Sequence, residues 1–161
     1  MSQYDWVLFF HLLSAFMLVG GALAYHALQL FLLRRDRPSE IATLFGIGRP
    51  FALAIQVGAV GVLVFGIWLA YVSEPEYKIT DEWVIAAIVL WVVANALGFA
   101  GGKIYENGGK LAEQLLETGN DNPSPELRAV IRSPQAAIMT WGSTLVIVAV
   151  LVLMIWKPGA F

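Results

Sequence analysis

The sequence predicts an all-α protein, an antiparallel four-helix transmembrane bundle with both termini outside. Three observations predict it. Of 161 residues, 58% are hydrophobic and only 14% charged, against about 25% charged in an ordinary soluble domain. The charges fall in clusters that leave four uncharged apolar stretches, 6–33, 50–73, 83–102 and 133–156. Eight of the ten basic residues then fall in the first and third connections. A mean hydropathy of +0.70 excludes a soluble enzyme or a disordered tail. A net charge of −2 offers no basic field to a nucleic acid. With no cysteine, disulfides, thiolate metal sites and thiol nucleophiles are excluded as well. The chain reads as a single integral membrane domain, 1–161, with the lipid bilayer as its partner and no nucleic acid.

Each stretch is long enough to cross, because the hydrocarbon core takes about 20 apolar helical residues. The first, 6–33, is the longest and should tilt or project. Its start, MSQYD, carries an acid and no basic residue, which argues against a cleaved signal peptide. Connection one holds Arg34, Arg35, Arg37 and Arg49, and should include a short amphipathic piece, IATLFGI, lying on the interface. The second stretch follows it. Lys78 is the basic residue of connection two. The third stretch should continue as helix through Lys110 to Glu117 and stop at Gly119-Asn120. Ser124-Pro125 then caps a short helix to Arg132, and Ser133-Pro134 repeats the signal at the entry to the fourth stretch. The basic bias places connections one and three in the cytoplasm. Tyr4, Trp6, Trp68, Tyr71, Trp83 and Trp156 then all lie at outer ends, where amphipathic rings prefer to sit.

Inside a membrane the informative residues are those that lipid disfavours. No Asp, Glu, Lys or Arg lies within a span, which argues against a carboxylate proton relay or a charged channel ring. The polar set comprises His11, Ser14, Tyr25, His26 and Gln29 on the first helix, Gln56 on the second, Asn95 on the third, and Thr140, Ser143 and Thr144 on the fourth. His11, Ser14, Ala15, Leu18, Ala22, Tyr25 and Gln29 fall within about 80° of one another, so that face should look into the bundle. The two histidines lie on one helix about 22 Å apart, so they cannot share an iron. His11 lies roughly 8 Å into the outer leaflet, and His26 roughly 10 Å from the inner boundary. Tyr25, Gln56, Asn95 and Thr140 come to the depth of His26 and form a supporting polar layer for it. His11 has almost no polar neighbour at its own depth. Haem iron could be the missing partner, since a neutral imidazole is a common axial ligand. Gly20-Gly21, with Ala15 and Ala22, would leave room for a macrocycle or serve helix packing.

The opening YDWVLFFHLLSAFMLVGGAL resembles the first helix of the copper-resistance-D-like proteins and the membrane-type protoporphyrinogen oxidases, both bacterial membrane groups. GRPF, GIWL, DEWV and MIWKPG, in that order, resemble a family of four-helix predicted integral membrane proteins defined as a domain of unknown function. The resemblance covers nearly the whole chain and implies the bacterial inner membrane. It also implies that His11 is a ligand of haem b, as in the oxidases. Those enzymes place a lysine on a later helix as the opposite ligand. The nearest lysine here, Lys103, lies at the cytoplasmic end of the third span, so the resemblance does not carry the oxidase activity with it. The copper relatives would imply a site at His11 with Met17, a thin ligand set for copper(I).

Three expectations follow. One is a haem b protein for electron transfer or tetrapyrrole handling, with His11 as ligand, a second haem at His26, and Arg34, Arg49 and Lys103 as propionate partners. Bis-histidine ligation would require a homodimer. The alternative is a non-enzymatic accessory subunit of a larger membrane complex, without cofactor. Copper handling is the third.

Overall fold

The computed structural model describes residues 2–72 and 78–157, so the end of the second apolar stretch lies outside the described residues. These fold as α1 (Gln3–Leu32), α2 (Pro38–Val72), α3 (Glu82–Glu117), α4 (Pro125–Ile131) and α5 (Pro134–Trp156), with no strand among them. α1, α2, α3 and the α4–α5 run are long and apolar enough to cross a membrane. The ends of α1 and α5 that carry the termini define one end of the bundle, and α4 closes the other.

Local chemistry sets the boundaries. Ser2 and Asp5 form a reciprocal capping box at the start of α1. α3 ends in a left-handed Gly119 (φ 74°), and the Asn120 amide reaches back to the Leu115 carbonyl at 2.9 Å. Ser124 caps α4 and Ser133 caps α5, each through its hydroxyl and each followed by proline. The start of α2 is capped from elsewhere in the chain. Asp121, in the turn after α3, accepts from the Ser39 amide at 2.9 Å and from the Ser39 hydroxyl at 3.0 Å. Those two bonds hold the Asp121 carboxyl below its usual range.

The interfacial piece expected in connection one is instead the first part of α2, which runs unbroken through Pro50. Proline inside a helix forfeits one backbone bond and costs about 3 kcal/mol. Tertiary burial offsets this. Ile41 is buried with Tyr105, Ala112, Leu127 and Ile131, and Leu44 and Phe45 pack on that cluster. At 35 residues, α2 is about 52 Å long and overshoots a hydrocarbon core of about 30 Å. α3 overshoots alongside it, and α4 covers the pair.

Within the bilayer the helices associate as two closely packed antiparallel pairs. On the α1–α2 seam, Gly58 faces the Leu18 amide and the Ser14 carbonyl, and Gly61 faces the Ser14 side chain. On the α3–α5 seam, Gly101 faces Ala136, Met139 and Thr140, and the Ser143 hydroxyl donates to the Ala94 carbonyl at 2.8 Å. Small residues that let backbones approach drive such packing in lipid. The pairs meet where the Trp91 indole donates to the Ala59 carbonyl at 3.1 Å, and where the Phe45 ring covers Gly109. At the terminal end, Val7, Leu69, Ala70, Trp83 and Val84 form a second buried cluster.

Candidate functional site: a polar cavity between the helix pairs

His26 is 5% exposed and held on three sides. Its Nδ1 lies 2.9 Å from Gln29 Oε1, one turn along α1, and its Nε2 lies 2.7 Å from the Thr144 hydroxyl of α5. The Trp141 ring stacks on the imidazole at 4.1 Å between centroids and 16° between planes. Both ring nitrogens are thus within hydrogen-bond distance of a side-chain partner. Trp141 and Thr144 are three residues apart and so share one face of α5. The ring thereby links α1 to α5.

The expected partners of His26 are arranged differently. Asn95 donates to the Trp91 carbonyl and Thr140 to the Ala136 carbonyl, each within its own helix. Tyr25 rests on Gly48 of α2. None of them, nor Gln56, has a hydrogen bond to His26. They share something else. Tyr25, His26, Gln56, Asn95 and Thr140 all line one cavity of 640 Å³ between the two helix pairs, in the half of the bundle nearer α4. Its walls carry small residues, among them Ala52, Ala94, Gly98 and Gly102. A Cβ added at Gly102 would meet nothing within 4 Å.

The mouth of the cavity is charged. Arg49 and Lys103 stand there with Glu106, Lys110 and Glu113. Arg49 pairs with Glu113 at 3.0 Å and Lys110 with Glu106 at 2.6 Å. Lys103 lies 5.8 Å from the centre of the Phe99 ring. Three cations and two carboxylates leave the mouth with one net positive charge. Arg34, the third expected propionate partner, does not line it. Sequence reasoning missed Trp141, whose signal was a tryptophan placed well inside a span instead of at its end. It also missed the two mouth carboxylates, which repeat at helical spacing with Lys103 and Lys110.

His11 lies in the other half of the bundle, on the α1–α2 seam. Its Cε1 would be 3.0 Å from a Cβ at Gly66 and its Nδ1 3.4 Å, so that edge of the ring rests on α2. Nδ1 is buried with no hydrogen-bond partner. The Gly20-Gly21 pair opens no space for a macrocycle between α1 and α2. Gly21 packs on the Phe51 carbonyl and Ile55 of α2, and Gly20 faces away from other helices. Among the described residues no three His, Asp or Glu side chains come together as a metal site.

The chain matches the family described as "Predicted integral membrane protein (DUF2269)" over residues 5–158, and it belongs to that family. No curated protein and no solved structure matches it.

Proposed function

We propose that this DUF2269 member is a non-enzymatic membrane protein that holds a small molecule in the cavity between its helix pairs. It would work in the bacterial inner membrane as a subunit of a larger complex or as a homodimer. The observation that carries the reading is the cavity itself. It gathers uncharged polar side chains of four helices, with charged residues of α2 and α3 at one end. Concave, largely apolar sites with a few convergent polar groups are what small-molecule sites look like.

The basic residues of connections one and three support an orientation with both termini outside and α4 in the cytoplasm. The cavity mouth then lies on the cytoplasmic side. The chain has no native cysteine, so single cysteines at Ser2 and Asn120 test this directly. An impermeant maleimide added to intact cells should label the first and not the second, and the reverse pattern would overturn the orientation.

Haem b at His11 is the second reading. The partnerless Nδ1 favours it, and the seat of the ring on Gly66 weighs against it. His26 fits iron less well, since both its ring nitrogens have partners. Protein purified from haem-sufficient cells should therefore show no Soret band. A Soret band that disappears in His11→Ala would replace the first reading with the second. Copper at His11 and Met17 is the third reading, and among the described residues no group of three His, Asp or Glu side chains supports it.

A further inference from the structure

The cavity has two chemically distinct ends, and their separation describes a ligand. Its deep end lies between Gln56 on α2 and Asn95 on α3. The Asn95 amide nitrogen is committed to the Trp91 carbonyl, which leaves its oxygen as an acceptor. Gln56 lines the cavity and brings an amide that can donate and accept. At the mouth, Arg49 and Lys110 are each paired with a carboxylate, whereas Lys103 contacts the Phe99 ring. Lys103 is therefore the ammonium most available to an incoming anion. Gln56 lies seven residues along α2 from Arg49, and Asn95 eight along α3 from Lys103, so the two ends are about 10–12 Å apart. On α2 and α3 the wall between them is formed by Ala52, Ile55, Gly98, Phe99 and Gly102, which are all apolar. A volume of 640 Å³ falls in the range of about 300–1,000 Å³ typical of sites for single small molecules.

We propose that the cavity binds a single-chain amphiphile with an anionic head at Lys103 and a hydrogen-bonding group about 10 Å down its chain, between Gln56 and Asn95. This rests on the reading of the protein as a small-molecule binder and adds the ligand's chemistry. The head is a carboxylate or a phosphate monoester, since one net positive charge at the mouth accepts either. A plain acyl chain would leave the Gln56 amide facing hydrocarbon, and satisfying that amide is what selects a chain with its own polar group. A neutral amphiphile would leave Lys103 unpaired.

The test uses the full chain in mild detergent and four probes: stearate, a mid-chain hydroxystearate, the methyl ester of the latter, and a lysophosphatidate. Binding is followed by native mass spectrometry. Hydroxystearate should bind at least tenfold tighter than stearate, and Gln56→Leu should remove that preference while stearate binding is retained. The methyl ester should bind at least tenfold more weakly than its parent acid, and Lys103→Gln should erase this difference. Tighter binding of lysophosphatidate than of stearate would assign a phosphate head, and the converse a carboxylate. Gly102→Leu fills open space, so it should abolish saturable binding with the melting temperature unchanged. Equal binding of hydroxystearate, stearate and the ester would overturn the proposal, as would binding that survives Gly102→Leu. A Soret band would instead count against the underlying reading, so the two failures are distinguishable.

Discussion

Gly58→Leu is expected to disrupt the α1–α2 hairpin and to be the most damaging single change in the transmembrane region. A Cβ at this position would lie 2.5 Å from the Leu18 amide nitrogen, 2.7 Å from the Ser14 carbonyl oxygen and 2.9 Å from the Leu18 Cα. All three are backbone atoms, so no rotamer change relieves the clash. Overpacking against movable side chains typically costs about 1–3 kcal/mol. Against a helix backbone the cost should exceed about 3 kcal/mol, because α1 and α2 must separate along their length. Gly20→Leu is the control, since Gly20 has open space around it and the same residue is added to the same hairpin. Denaturation by increasing detergent mole fraction should leave Gly20→Leu near the wild type and shift Gly58→Leu far to lower denaturant. Comparable curves for the two variants would mean that the seam is looser than described.

His26→Ala should cost about 2 kcal/mol and leave the protein assembled. Two interhelical or local hydrogen bonds at about 0.6 kcal/mol each in a bilayer supply roughly half. Stacking on Trp141 adds about 0.5–1.5 kcal/mol. Thr144→Val removes one of the two hydrogen-bond partners and keeps the shape of the side chain. In a double-mutant cycle, His26→Ala and Thr144→Val should therefore be non-additive by about 0.6 kcal/mol. Strict additivity would show that the 2.7 Å contact contributes nothing. The loss should appear as weaker docking of α1 on α5, with the α1–α2 seam intact, because the histidine and the seam glycines lie on different contacts.

The spans are legible in the sequence because hydrocarbon excludes charge so strongly that about 20 or more apolar residues without any mark a crossing. Caps are legible for a local reason. Ser124, Ser133 and Gly119 act within three or four residues of themselves. The second stretch reads as beginning at Pro50 because Arg49 is the last charge before it. Phe45 and Ile41 nevertheless hold α2 continuous, by contacts with α3 and α4 that are distant in sequence. Depth along a span follows from counting, so the sequence brings Tyr25, His26, Gln56, Asn95 and Thr140 to a common level, and all five line one cavity. Counting does not give the direction around the helix axis, which depends on how neighbours rotate. Thr144, one turn from Thr140, takes the bond to His26, and Gln56 and Asn95 turn toward an open space. That space is not a property of any residue. Ala94, Gly98 and Gly101 look alike as packing surface, yet Gly101 packs against α5 while Ala94 and Gly98 also border the cavity.

The pairing of α1 with α2 and of α3 with α5 carries a consequence for biogenesis. Domains and hairpins that close on sequence neighbours can form as the chain leaves the ribosome, amino-terminal part first. The α1–α2 seam needs nothing beyond residue 72 and can close before α3 has been made. α3 must wait for α4 and α5, and the face of its long extension that Leu127 and Ile131 bury stays open until they arrive. The latest event is the meeting of two finished hairpins through Trp91 and His26. Defects in the first seam should therefore be cleared early by membrane quality control, as short-lived chains. Defects at the final junction should persist as inserted, protease-sensitive halves that are stable individually and poorly joined.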